Sequence, residues 1–223
     1  EQIQNMVMTG VLQKGDKRPS ERDLVDQLGV SRASIREAIR ALEMIGLIES
    51  RQGEGNFIGG DINSSFFEPL SVMFMLNDGK SEDILELRRV IEVEAAALAA
   101  THITEEGKVE LKRLMLDLKE SKNEDESAKV DKALHYTIAK ISGNYLILIL
   151  LNTISSLMEA FIRDARGMIL RKESQREILI EQHQKICDSI IQENPNEAVE
   201  AMREHLQTIN ETMIELKEKQ AIQ

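Results

Sequence analysis

Cysteine, proline and aromatic residues are all scarce in this sequence, and each shortage closes off an architecture. Cys187 is the single cysteine among 223 residues. It cannot close an internal disulfide, and with no CxxC there is neither a thiolate zinc site nor a redox pair. Any bound metal must therefore be held by histidines and carboxylates. Aromatic residues make up 3% and tryptophan is missing, so the core must be built from Leu, Ile, Val, Met and Ala. Those residues suit helix interfaces better than a large β-sandwich. Three prolines and twelve glycines in a chain that is 42% hydrophobic and 30% charged exclude a disordered or collagenous protein. No apolar run approaches the roughly 18 residues of a membrane span. The first ten residues lack the basic and apolar regions of a signal peptide, so the expectation is a cytoplasmic protein with no membrane partner.

What the chain has in excess is negative charge, a net of -11. Taken as an average, that argues against nucleic acid, whose phosphates attract Lys and Arg. The distribution says otherwise. Residues 1–60 carry 8 basic against 9 acidic side chains, and the remaining residues carry 20 against 30. A near-neutral head can contact DNA if its arginines share one face, while the acidic body stays off the duplex.

The punctuation of the first sixty residues predicts a helix, a tight turn, a second helix and a hairpin. Ile3, Met6 and Val7 have helical spacing, broken by Gly10 and Gly15. Pro19-Ser20-Glu21 opens a helix with Ser20 as N-cap, Leu24, Val25 and Leu28 inward, and Gly29 as stop. Ser31 caps a second helix whose apolar stripe is Ile35, Ala38, Ile39 and Leu42. Leu47 to Glu49 and Asn56 to Ile58 flank a Gly-rich turn in a two-stranded hairpin, and Gly59-Gly60 reads as a linker. From Asp61 onward the pattern is helical throughout, over 64–76, 81–101, 104–122, 124–142, 144–168, 173–193 and 195–219. The breaks fall at Asn77-Asp78-Gly79, Ser142-Gly143-Asn144 and Asn194-Pro195. The predicted fold is mainly α: an N-terminal winged helix-turn-helix over 1–60, then an all-α antiparallel helical bundle over 61–223.

On the second helix Arg32, Arg36 and Arg40 recur every four residues, about 40° apart around the axis, on the flank of the apolar stripe. A helix that packs through one stripe and offers arginines with Ser31 and Ser34 near its N-terminus is suited to the major groove. The alternative is a solvated arginine face; the Gly-rich hairpin with Arg51 beside it, a wing able to approach phosphate or the minor groove, favours DNA. Pro19-Ser20-Glu21-Arg22-Asp23-Leu24, Leu28-Gly29-Val30-Ser31-Arg32, Ile35-Arg36-Glu37-Ala38, Gly46-Leu47-Ile48 and Gly53-Glu54-Gly55 together resemble the winged-helix head of GntR-family bacterial regulators. The resemblance implies DNA contacts from Arg22, Arg32, Arg36 and Gly53. Arg18 stands where that family usually has a leucine.

Four histidines remain to be placed. His102, at a helix end, reads as a surface or capping residue. Asp131 and His135 lie at i, i+4 on one helix, His183 lies within the arc of Leu179, Ile186 and Ile190, and His205 lies close to that of Ala198, Met202 and Ile209. Any one could be a satisfied core histidine, but three inward histidines and an aspartate need partners together, and a shared cation satisfies all four. Leu87 to Glu92 with the alanines that follow, then Asp131, His135, Ser142-Gly143-Asn144, His183 and His205, resemble the FCD effector domain of the FadR subgroup. That resemblance implies one divalent ion per chain on Asp131, His135, His183 and His205, with open positions for a small carboxylate. Three imidazoles and a carboxylate suit Zn²⁺, Ni²⁺ or Mn²⁺, and a hydroxy acid or sugar acid could chelate the open positions. Arg88 is either a partner for that carboxylate or an i, i+4 partner of Glu92, and Asn144 is either a pocket donor or a helix cap. Cys187 reads as a buried filler.

The function expected is a DNA-binding repressor, a homodimer on a pseudo-palindromic double-stranded operator, controlled by a small carboxylate at a metal centre. Two alternatives are a regulator for which metal occupancy is itself the signal and a metallohydrolase carrying a DNA-binding head. Against the latter, no HExxH or paired carboxylate accompanies the three histidines, so no enzymatic activity is expected.

Overall fold

A computed structural model describes residues 2–17, 19–51, 54–59, 64–154 and 173–221. The chain forms two compact units, Glu1–Asn77 and Asp78–Gln223. In the first, α1 (Gln2–Met8) is followed by α2 (Glu21–Leu28), α3 (Arg32–Met44), β1 (Ile48–Arg51), β2 (Gly55–Ile58) and α4 (Ser64–Leu76). The start of α2 is determined locally: Ser20 Oγ accepts from the Asp23 amide and the Asp23 carboxylate accepts from the Ser20 amide, a complete capping box. Gly29 ends it with φ 66°, a left-handed conformation that glycine adopts without penalty. Ser31 caps α3 in turn by accepting from the Ser34 amide. Leu24, Ile35, Ile39, Leu42 and Ile48 close the head's core, with Val25, Leu28 and Leu47 packed against it. Ala38, expected in that stripe, is exposed; the buried face of α3 is narrower than its apolar pattern because a single short helix and a hairpin cover it.

The hairpin pairs Ile48 with Ile58 and Arg51 with Gly55. Lys17 adds an isolated antiparallel bridge to Phe57, so the segment before α2 lies along the wing. Gly59 is not the free linker its sequence suggests. Its amide donates to the Leu47 carbonyl at 3.0 Å, and a Cβ there would lie 2.5 Å from the Gly46 carbonyl oxygen. Gly60 lies outside the described residues.

The second unit is helical: α5 (Ser81–His102), α6 (Glu105–Glu120), α7 (Glu124–Ile141), α8 (145–154), α9 (Glu173–Ile191) and α10 (Pro195–Ala221). The predicted continuation of α8 to 168 falls outside the described residues. Thr104 and Asn123 cap α6 and α7 with side-chain oxygens. The α9–α10 break falls at the expected Asn194-Pro195, where Asn194 Oδ1 accepts from the Glu197 amide at 3.3 Å and α10 begins at Pro195. Glu193 takes the left-handed conformation at φ 58°, where glycine would be the usual choice, and its carboxylate accepts from Lys108 Nζ at 2.8 Å.

Helix α5 packs most extensively on α10 and also meets α7 and α9. Ala95, Ala96, Ala99 and Ala100, all at most 1% exposed, let the neighbouring backbones come close. Leu111, Leu134, Ile138, Ile186, Ile190 and Met202 fill the remaining core. His102 bridges the ends of α5 and α7, with Nδ1 2.8 Å from the Ser142 carbonyl. Cys187 is fully buried, and burial, with a smaller contribution from Asp188, pushes its thiol up to about 12, so it is an inert filler. Among the described residues no helix is long and apolar enough to cross a membrane.

The docking of Gly59 generates a direct test. Gly59→Ala forces a backbone shift beneath the hairpin and should destabilise the head by about 1 to 3 kcal/mol. Denaturant unfolding of the two proteins measures the difference, and equal midpoints would show that Gly59 is not held against Gly46.

Candidate metal centre and nucleic-acid interface

The helix-turn-helix places Arg22, Ser31, Arg32, Ser34 and Arg36 on the exposed surface of the head. Ser31 Oγ and Ser34 Oγ lie 2.9 Å apart while Ser31 caps the helix, so both hydroxyls are tied to the start of α3. Arg36 Nε donates to Glu21 Oε2 at 3.0 Å across α2 and α3, a pair open to solvent on both sides. Such a pair costs little to exchange for a phosphate. On the wing, the Arg51 guanidinium lies 4.5 Å from the centre of the Phe57 ring and Arg51 Nη2 donates to Glu49. Gly53, predicted at the wing tip, lies outside the described residues.

In the second unit, α7 contributes Asp131 and His135, α9 contributes His183 and α10 contributes His205. One ligand atom from each lies within 4.8 Å of all the others. The three histidines are at most 4% exposed. His183 Nε2 is 3.0 Å from Asp131 Oδ1 and 3.2 Å from His135 Nε2, and His135 Nε2 is 3.9 Å from Asp131 Oδ1.

The hydrogen bonds on the far side of each ring determine what these nitrogens are. His183 Nδ1 lies 2.7 Å from the Leu179 carbonyl, which can only accept, so Nδ1 carries the proton. His135 Nδ1 makes an ion-pair contact with Glu92 Oε2, again an acceptor. His205 Nδ1 lies 3.4 Å from Gln182 Oε1. That amide is oriented by Thr208, whose hydroxyl donates to the Glu204 carbonyl and so must accept from Gln182 Nε2, at 2.9 Å. Every Nδ1 is therefore a donor, so in the neutral rings it is Nε2 that offers a lone pair toward the shared centre. Two such lone pairs 3.2 Å apart repel, and His205 Nε2 is buried with no hydrogen-bond partner among the described residues. Burial, reinforced by His183 and His135, lowers the His205 pKa well below the ordinary imidazole value and keeps the ring neutral. A divalent cation relieves all of this. Ligand atoms bound at about 2.0 to 2.2 Å lie roughly 3 to 3.5 Å apart on their common ion, close to the spacings seen. The donor set thus fits one metal ion.

The sequence pattern names all four members of this cluster but gives Glu92 only as a possible i, i+4 partner of Arg88, and Gln182 does not stand out in it. Glu92 is 1% exposed, and its Oε1 accepts from Arg88 Nε. Burial works to raise the Glu92 pKa, but Arg88 and His135 outweigh it and hold the carboxyl down at about 2. The available signal was a carboxylate in the alanine stripe of α5, three and four residues before Ala95 and Ala96. Arg88 is itself buried against the cluster, on the α5 side. Asn144 is not brought to the cluster: it is exposed and caps α8, its Oδ1 accepting from the Leu146 and Ile147 amides at 3.0 and 3.3 Å.

A winged helix-turn-helix head followed by an all-helical domain is the architecture of a bacterial transcription regulator. Residues 1–58 match the family of bacterial regulatory proteins named gntR, and residues 83–208 match the FCD domain. The chain belongs to the GntR family, with the FCD domain that places it in the FadR subgroup. It is 32% identical to the HTH-type transcriptional regulator LutR of Bacillus subtilis (strain 168), over 93% of this chain and 96% of that protein. It is 30% identical to the Glc operon transcriptional activator of Escherichia coli (strain K12), over 96% and 86%. The solved structure of Streptococcus agalactiae GntR superposes with a TM-score of 0.68 at 29% identity, covering 93% of this chain and 95% of that one. These relatives are named regulators rather than enzymes, and the chain is a DNA-binding transcription regulator.

The lone-pair geometry predicts that the protein binds one Zn²⁺ or Ni²⁺ per chain with a rise in melting temperature, and that His183→Ala loses both. Titration followed by elemental analysis and thermal melting checks this. A wild-type protein that neither carries nor accepts either ion would remove the metal centre.

Proposed function

We propose that this chain is a homodimeric repressor whose affinity for double-stranded operator DNA is set by a small carboxylate bound at a divalent metal centre on Asp131, His135, His183 and His205. The observation that carries the proposal is the convergence of three Nε2 lone pairs and a carboxylate in a buried site with no competing donor for His205. In this reading, residues 1–60 read DNA and residues 61–223 hold the effector and form the dimer, in the cytoplasm. Arg22, Arg32 and Arg36 face the duplex, Ser31 and Ser34 organise the N-terminus of α3 against it, and Gly53 at the wing tip approaches the backbone.

Charge supports the effector class. Asp131 contributes one negative charge, the imidazoles none, and Arg88 and Glu92 cancel one another. A bound Zn²⁺, Ni²⁺ or Mn²⁺ supplies Lewis acidity and open positions, and leaves the buried centre one positive charge in excess. A monocarboxylate neutralises that excess, and a hydroxy acid or sugar acid can add a second oxygen as a chelate. Arg88, buried beside the cluster, is the side chain we assign to the effector's carboxylate.

Two measurements test the proposal. Arg32→Ala or Arg36→Ala should cost about 1 to 3 kcal/mol in specific operator binding with the fold intact; wild-type affinity in Arg36→Ala removes α3 as the reading helix. On metal-loaded protein, a binding small carboxylate should weaken operator affinity, and a tenfold loss, about 1.4 kcal/mol, requires an equal loss of effector affinity on the DNA-bound dimer. An operator response to metal alone, unaffected by any acid, identifies a metal sensor instead. A reporter that falls rather than rises with the acid identifies an activator.

A further inference from the structure

Helix α5 supplies no ligand to the candidate metal centre, yet it carries a fully buried ion pair beside it. Arg88 is 8% and Glu92 1% exposed, on a buried helix face that is otherwise mainly apolar, with Ile84, Leu85 and Ile91 before and beside them and Ala95, Ala96, Ala99 and Ala100 after. A buried ion pair is seldom worth more to folding than apolar side chains of similar volume, so stability alone does not account for it. The two oxygens of Glu92 divide the work. Oε1 accepts from Arg88 Nε, and Oε2 lies against His135 Nδ1. Neither Oε2 nor His135 Nδ1 has another hydrogen-bond partner among the described residues.

The other two rings are held differently. His183 leans on the Leu179 carbonyl one turn back in its own helix, an acceptor any helix provides. His205 leans on a neutral amide at a long 3.4 Å. Among the described residues only His135 meets a charged acceptor through Nδ1, and that acceptor comes from a different helix. An anionic acceptor on Nδ1 commits Nε2 to the metal and raises its basicity.

We propose that Glu92 is the positioning residue of this centre: held by Arg88, it fixes the His135 ring with Nε2 toward the metal and strengthens that nitrogen as a ligand. This rests on the metal reading above and adds α5 to it. The pair also neutralises itself, so Glu92 polarises His135 without adding net charge that would oppose an anionic effector.

The test uses the full-length protein and Zn²⁺ alone. Removing Glu92 by itself takes the ion-pair partner from a buried Arg88, so the pair is changed together. Arg88→Met/Glu92→Met removes both charges and the acceptor, and Arg88→Gln/Glu92→Gln removes the charges but restores an amide oxygen for His135. The zinc dissociation constant, read by competition with a chelating dye, should rise about 10- to 100-fold in the methionine pair. It should recover most of the way in the glutamine pair. Long-range ¹H–¹⁵N spectra of the zinc-loaded wild type should show His135 protonated at Nδ1 and metal-bound through Nε2. Melting of the metal-free proteins separates a folding defect from a ligand defect. Zinc affinity in the methionine pair within twofold of wild type overturns the proposal, as does His135 binding through Nδ1 in the wild type, a measurement that needs no variant to fold. A wild type that binds no zinc is a separate outcome, because it overturns the metal reading first.

Discussion

Four lone-pair donors pointed at one another inside an apolar helical core are an unstable arrangement unless something positive sits among them. Asp131, His135, His183 and His205 come from three helices, and each histidine has its Nδ1 engaged by an acceptor on its far side. The cost of leaving such groups unsatisfied, about 1 to 3 kcal/mol for each neutral one, is tolerable in a folded protein only where a ligand recovers it. The helical core of the second unit thus encloses a polar cluster as well as its leucines and alanines.

This constraint separates what must be rigid from what can be exchanged. The rings are held by carbonyl, amide and carboxylate acceptors, on helices whose core includes Leu134, Ile138, Ile186 and Met202. In the head the opposite holds: Arg32 and Arg36 are exposed, and Arg36 is held only by a solvent-open pair with Glu21. A surface pair of that kind contributes at most about 1 kcal/mol, so it orients the guanidinium without competing with a phosphate. The acidic charge concentrated beyond residue 60 suits this division, since repulsion from the duplex leaves the head as the DNA-facing surface.

Much of this is legible in the sequence because the signals are local. Ser20 with Asp23, Ser31 with Gly29 and the i, i+4 pair Asp131 and His135 each act within a turn or two of chain, where helix geometry alone determines what meets what. Positions whose role depends on a distant neighbour were read incorrectly or incompletely. Gly59 looks like half of a linker but is pressed against Gly46, and Glu193 holds a conformation glycine usually takes while paired to Lys108 on another helix. Asn144, by contrast, is settled locally: of its two readings, pocket donor and helix cap, its oxygen takes the cap of α8.

The same distinction runs through the site itself. The sequence by itself determined which faces carry histidine and which helix carries the arginines, since periodicity assigns a residue to a side of its own helix. It could not determine what stands opposite. Glu92 reads as the i, i+4 partner of Arg88, which it is, but its second oxygen reaches a histidine 43 positions away because α5 and α7 pack together. Gln182 is oriented by Thr208 on α10, and only that chain of donors and acceptors decides which nitrogen of His205 faces inward. Tautomer and ligand strength are properties of hydrogen-bond partners on other helices, and those partners exist only once the bundle has closed.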